Sequence, residues 1–182
     1  MQPRPPSAPA GDPGPLDGET HARVLDHKPS GMIQGISEKG LYLIRIREAA
    51  AGSTHEPGTS IELEGANVLG TSRHRDLSVM AQSELHGVVK SILSDNPEVC
   101  LSFYNRAGNL TLKMHAFQLL PGIGNSKAIS MVEIRGRTGW ETIASLDEAC
   151  QIDAADLLAD RLCQEIVDPH TTPNLLDLLI RA

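Results

Sequence analysis

The sequence predicts a multidomain α+β chain: a small OB-like (or SH3-like) β-barrel followed by an all-α domain that contains a helix-hairpin-helix. Three observations carry this. Hydrophobic residues alternate with a period of about two between Thr20 and Glu64, and recur at about 3.6 from Asp76 onward. The first region is cut into short segments by turn signals, Lys28-Pro-Ser-Gly31 and Ser37-Glu-Lys-Gly40 among them. The second region holds Leu119-Leu-Pro-Gly-Ile-Gly-Asn-Ser-Lys127, a proline- and glycine-marked turn between two apolar helical stretches. The expected boundaries are a Pro-rich tail at 1–19, the barrel at 20–75 and the helical domain at 76–182, with the helix-hairpin-helix at 110–135.

Composition limits the function classes. The 182 residues are 40% hydrophobic, but only five are Phe, Trp or Tyr, so aliphatic side chains must fill the core. The net charge of −7 weighs against a strongly basic nucleic-acid binder. Its distribution matters more than its sum. The tail has one base and three acids, residues 151–182 have two bases and six acids, and the middle has 13 bases against 14 acids. Cys100, Cys150 and Cys163 form an odd set without a C-x-x-C, which predicts buried thiols rather than disulfides or a cysteine zinc site. The seven histidines are scattered without metal-ligand spacing, so neither a metal nor another cofactor is expected. No apolar run has transmembrane length and no signal core is present, which predicts a cytoplasmic protein without a membrane partner.

Taken in order, residues 1–18 include six prolines and read as a disordered tail. His21–Asp26, Met32–Ile36, Leu41–Arg47 and Ser60–Glu64 read as strands, and 65–75 as a loop. Arg45 and Arg47, two apart, share a strand face; Arg23 is a candidate to join them. A solvated strand face explains them as well as a nucleic-acid surface does. Thr71-Ser-Arg-His-Arg75 is the densest basic patch, and Arg73 and Arg75 are candidate phosphate contacts. A helix with Leu77, Met80, Ala81, Leu85, Val88, Val89, Ile92 and Leu93 on one face follows from Asp76 and breaks at Asn96-Pro97. A second helix covers Glu98–Arg106, and Asn109 is placed to cap a third over Leu110–Leu120, with Leu110, Met114, Phe117 and Leu120 buried.

The hairpin is the candidate site. Pro121 stops the preceding helix, and Gly122 and Gly124 flank Ile123, which plugs the turn into the core. Positive φ is expected at Gly124. Asn125 or Ser126 caps a helix to Arg135 that buries Ala128, Ile129 and Val132 and ends at Gly136. Free amides at that helix start, with Lys127 beside them, suit a phosphate. Backbone amides and one lysine would hold nucleic acid without reading bases. Gly122, Ile123, Gly124, Asn125, Ser126 and Lys127 are therefore the expected binding residues of the hairpin. Trp140 and Ile143 are expected behind it, Ser145-Leu-Asp-Glu148 as a capping box, and a helix from Asp153 or Asp156 to Val167. The Leu-rich stretch Asn174–Ile180 is expected to dock on the domain.

These residues carry a resemblance. Val24-Leu-Asp26, Ser83-Glu-Leu85, Phe103-Tyr-Asn105, the run Leu112-x-x-His115-x-Phe-Gln-Leu-Leu-Pro-Gly-Ile-Gly124 and Ser145-Leu-Asp-Glu148 are similar to the archaeal domain of unknown function 655 family, over most of 20–167. The resemblance implies an OB-like barrel joined to a helix-hairpin-helix domain, RNA or nucleotide binding, and ribosome-associated partners. Asn125 and Ser126 stand where a basic residue often occurs in the family.

The expected function is non-enzymatic nucleic-acid binding, RNA favoured over DNA. The alternative is a protein-interaction module in which the hairpin is purely structural and the acidic C-terminal helices meet the partner. An enzyme of the DNA-repair glycosylase type would need a catalytic aspartate after the hairpin. Asp147 stands 23 positions after Gly124 (147 − 124) but reads as a helix-start residue without a catalytic companion.

Overall fold

Alternation in β1 (His21–His27) sends Ala22 and Val24 to one side and Arg23 to the other. β1 pairs antiparallel with β2 (Met32–Ser37), and β2 with β3 (Leu43–Arg47), so that Ile33 stands opposite Ile46. β4 (Ser60–Glu62) runs along β1, and β5 (Asn67–Thr71) along β3, giving the order β4-β1-β2-β3-β5. The computed structural model describes residues 14–49 and 52–182.

β4 and β5 are separated only by 63–66, so one stretch of chain supplies both sheet edges. The sheet must curl to let it do so. Ala22, Val24, Ile33, Ile44 and Ile46 fill the inside of the curl, with Ile61, Leu63 and Val68 packed against them from the edge segments. No ladder joins β4 to β5, and the barrel is not closed. Alternation also puts Leu25, at a bulge between Val24 and Asp26, on the outer face, where it meets Ile36, Leu41, Leu43 and the helices in one continuous core. β5 corrects the expected loop at 65–75. It is a short edge strand with a single inward apolar side chain, Val68, too little alternation to stand out.

α1 (Val79–Asp95) starts where the Ser78 hydroxyl accepts from the Ala81 amide at 3.1 Å, and lays its apolar stripe on β1 and on α5. Arg23 ties this layer to the sheet, donating to Glu38 at 2.5 Å and to Asp95 at 2.7 Å. It is therefore a structural ion pair and not part of a basic face. α2 (Pro97–Arg106) follows with proline in its first turn.

The expected helix over Leu110–Leu120 does not form. β6 (Asn109–Thr111) and β7 (Met114–His115) make a hairpin, followed by a 3-10 turn at Ala116–Leu119. Local side-chain bonds compete with the helix here. Thr111 Oγ1 accepts from Lys113 N at 3.2 Å, His115 Nδ1 accepts from Phe117 N at 3.1 Å, and Gln118 Oε1 accepts from His115 N at 2.9 Å. Phe117 and Leu120 are buried as expected, while Leu110 is left 40% exposed.

α3 (Asn125–Arg135) ends at Gly136, whose φ of +54° is the left-handed turn that favours glycine. It buries Ala128 and Met131, whereas Ile129 is 51% exposed. Trp140 joins the main core. α4 (Ile143–Cys150) is capped by Thr142 and Ser145, so Ser145 lies inside the helix it was expected to start. α5 (Ala154–Val167) is capped by Asp153.

The C-terminal segment docks. Leu175 and Leu176 are buried, and the buried Glu165 carboxylate accepts from both of their amides, at 3.0 and 2.9 Å, and from Arg161 Nε at 2.9 Å. Arg181 then donates to the Gly40 and Leu41 carbonyls and lies over the Tyr42 ring, strapping the helices to the sheet. Of the expected N-terminal tail, 1–13 fall outside the described residues. Residues 14–19 are built into the fold: Leu16 packs on the inner cluster, and Glu19 accepts from the Lys39 and Gly40 amides.

Candidate functional site

The turn from Leu120 to Lys127 forms as a tight corner. Gly122 has φ +77°, and the Ile123 amide donates to the Leu120 carbonyl at 3.2 Å. Ile123 is buried, as its position between two glycines predicts. Positive φ falls at Gly122, not at Gly124, where φ is −84° and the backbone is extended. Gly124, not Asn125 or Ser126, is the N-cap of α3 and brings no capping side chain. The amides of Gly124, Asn125, Ser126 and Lys127 consequently have no acceptor among the described residues. A Cβ at Gly122 or Gly124 would meet nothing within 4 Å, so the space above these amides is open.

Lys127 departs from expectation. Its Nζ donates to the Cys150 carbonyl at the end of α4. That carbonyl is at the negative end of a helix, which places the lysine charge favourably for the fold rather than over the α3 amides. The turn offers backbone donors, and its one cation is tied into the hairpin's own packing.

Arg45 and Arg47 project from β3 and are exposed, on the face that carries Leu43. In the register, Arg45 stands beside Gly70 and Arg47 beside Asn67 of β5. At the other end of this pair, the Ser72 amide donates to the Leu43 carbonyl at 2.7 Å, which places Arg73 and Arg75 just past it. Both are exposed. None of the four has a carboxylate partner among the described residues, in contrast to Arg23, Arg161 and Arg181. Arg45 and Arg47 thus share one face of β3, an inner strand, and Arg73 and Arg75 follow the adjacent strand β5 in the link to α1. The hairpin is carried elsewhere: α3 packs chiefly on α4, β7 and the 3-10 turn at 116–119.

Two thiols and one carboxylate are masked or engaged. Burial pushes the Cys100 and Cys163 thiols up to about 12. Burial also raises the Asp147 carboxyl above its ordinary range, while Oδ1 accepts from the Ala154 amide at 2.7 Å and links α4 to the start of α5.

One cluster escapes any reading by sequence spacing. His27, Glu48 and His55 converge from β1, the end of β3 and the following loop, with candidate metal-ligand atoms within 4.8 Å of one another. The imidazoles stack at 5.3 Å, and His55 Nε2 lies 3.1 Å from Glu48. His27 Nδ1 accepts from the His55 amide at 3.0 Å, so the neutral ring carries its proton on Nε2, which faces Glu48 at 3.9 Å. That tautomer suits a hydrogen-bonded clamp on the loop and leaves His27 without a lone pair for a metal. Its partners are 28 and 7 positions apart, so no local spacing signals it.

Three comparisons place the fold among known proteins. A family model described as "Protein of unknown function (DUF655)" matches residues 16–176. The chain is 23% identical over 170 residues to the uncharacterized protein MJ0038 of Methanocaldococcus jannaschii, covering 82% of this chain and 75% of the relative. The crystal structure of Af1531 from Archaeoglobus fulgidus, assigned to the same family model, superposes with a TM-score of 0.78 at 21% identity, covering 87% of this chain and 99% of that one.

Proposed function

The chain belongs to the DUF655 family, and we propose that it is a non-enzymatic nucleic-acid-binding protein, RNA favoured over DNA, that holds the phosphate backbone without reading bases. In this reading the curled sheet is an OB-like strand platform and 116–135 is a shortened helix-hairpin-helix whose first helix is a 3-10 turn. Ribosome-associated proteins are the expected neighbours.

One observation carries the reading: in a chain whose net charge is −7, Arg45 and Arg47 on β3 and Arg73 and Arg75 just past the adjacent β5 have no carboxylate partner among the described residues. Guanidinium groups left unpaired in an acidic protein suit phosphate, which they bind in a planar, two-pronged fashion. The open amides of Gly124, Asn125 and Ser126 add a second, uncharged phosphate contact. Contacts of both kinds position a strand and carry no base information.

A second reading has its own support. A groove of about 580 Å³ between the β6–β7 hairpin and α3 is bordered by Ile129 and by Leu112, which is fully exposed. Apolar residues in the open suit a protein partner.

The two readings separate on the glycines of the turn. Gly124→Val fills the space above the α3 amides without violating backbone geometry, because φ there is ordinary. Valine is a poor N-cap, so it should lower the melting temperature modestly, and it should weaken binding of unrelated single-stranded RNAs by a similar factor. Gly122→Val, at φ +77°, should cost about 1 kcal/mol or more of stability. If Gly124→Val binds every RNA as tightly as the parent, the turn is a structural corner and the protein-interaction reading gains.

A further inference from the structure

We propose that the cleft between the β5–α1 link and the C-terminal strap receives the terminal phosphate of a nucleic-acid strand. This rests on the nucleic-acid reading above and says where on the chain a strand end sits.

The cleft has a volume of about 650 Å³, within the range of sites that take a ligand of nucleotide size, roughly 300–1,000 Å³. Its walls are the end of β5 with Arg73, His74 and Arg75, the end of α5 with His170 beyond it, and the C-terminal segment. The 3-10 turn at His74–Asp76 packs on α5, so the cleft has a closed side. Arg181 is part of the wall rather than a free donor, since it is spent on the Gly40 and Leu41 carbonyls and on Tyr42.

The charge in the cleft is positive once pairs are removed. The Glu165 carboxylate faces Arg161 and two backbone amides and is fully buried. Asp177 lies 3.9 Å from Arg181. Arg73 and Arg75 remain without a carboxylate partner among the described residues. Two unneutralised guanidiniums distinguish two kinds of phosphate. An internal phosphodiester carries one negative charge, whereas a terminal monoester, with a second ionisation near pH ~6, carries about −1.5 to −2 at neutral pH. The doubly charged end is the better match, and each arginine can grip it with two N–H donors.

The approach to the cleft fits the same ligand. Arg47 and Arg45 stand about 7 Å apart along β3, and the strand then leads through Leu43, bonded to Ser72, to Arg73. A strand tracking over Arg47 and Arg45 reaches the cleft with its end, and the packing of the 3-10 turn on α5 prevents it from running straight on.

The test uses the full chain and three short single-stranded RNAs of one sequence: 5′-phosphorylated, 3′-phosphorylated, and with hydroxyls at both ends. One phosphorylated form should bind about tenfold tighter than the hydroxyl form, the effect of a charge-assisted hydrogen-bond pair, and which one does so identifies the polarity. Arg73→Ala with Arg75→Ala should bring all three to a common affinity with the melting temperature kept. Arg73→Lys with Arg75→Lys, which retains charge but not the two-pronged donors, should restore part of the preference. Measurable but equal affinities in the parent overturn the end site and leave the nucleic-acid reading standing. A preference that persists in the double-alanine variant also overturns it. Failure of all three RNAs to bind overturns that reading and the end site together.

Discussion

His115 sits where the β6–β7 hairpin meets the 3-10 turn, and its Nδ1 accepts the Phe117 amide at 3.1 Å. Burial lowers its pKa, and the Arg135 charge lowers it further against a backbone bond at Ala107 that raises it. The folded value therefore lies below the unfolded one, near ~6.5. A group depressed on folding contributes stability that is fully present above the unfolded value and is lost as pH falls through the folded one. Chemical denaturation of the parent should show stability declining from about pH 6.5 downward. His115→Asn, which keeps a side-chain acceptor for the cap, should remove that component, and superposable pH profiles for the two proteins would contradict this. Residue-scale expectations succeed where the cause is local. Arg45 and Arg47 are exposed because strand alternation puts them so. They fail where the partner is remote in sequence: Lys127 finds its acceptor on Cys150, and Arg23 finds Asp95 on another layer. The His27–Glu48–His55 clamp is illegible for the same reason.

At the scale of elements, the buried Glu165 is the fastening of the C-terminal segment. It accepts from Arg161 and from the Leu175 and Leu176 amides. Glu165→Ala removes the carboxylate from a buried guanidinium, which keeps only the Pro173 carbonyl, and leaves two amides without their acceptor. It should cost about 3 kcal/mol or more and speed hydrogen exchange across 174–180, while exchange in β2 stays slow. Slow exchange in the strap of the variant would show that Leu175 and Leu176 hold it by burial alone. Most elements are legible from the sequence because each has a strong period, and α5 with Asp153 and α3 with Gly136 have a marked end, whereas α1, expected from Asp76, is capped by Ser78. β5 escapes notice because this edge strand of five residues turns only one apolar side chain, the half-buried Val68, inward. The expected helix at Leu110–Leu120 fails for the opposite reason. Its apolar residues have helical spacing, but Gly108, Asn109 and Thr111 favour a turn and an extended start, and the His115–Gln118 cap fixes a break inside the stripe. The turn at Pro121–Gly124 forms where proline and glycine predict one, but its left-handed glycine falls two positions earlier than expected.

Across the whole molecule, the outer face of the sheet shares one apolar core with the helices, the inner face closes on a second, and charge is distributed over them unevenly. Acidic residues concentrate toward the C-terminal helices, while Arg45 and Arg47 lie on β3 and Arg73 and Arg75 in the link after β5. Net charge therefore says little about these arginines, since charges beyond a Debye length of about 8 Å at physiological salt are largely screened from them. The central claim is that these arginines hold a phosphate backbone, and salt dependence measures it most directly. Each single-strand phosphate contact contributes about −0.7 to the slope of log affinity against log salt. Four contacts predict a slope near about −3 for the parent with single-stranded RNA of any sequence, and removal of two predicts one near about −1.5. The deciding measurement is this slope for the full chain and for Arg45→Ala with Arg47→Ala, by titration at several salt concentrations. A parent slope near −3 that falls by about half in the variant is the predicted result. No measurable affinity at low salt, or a slope that the two substitutions leave unchanged, would contradict the account.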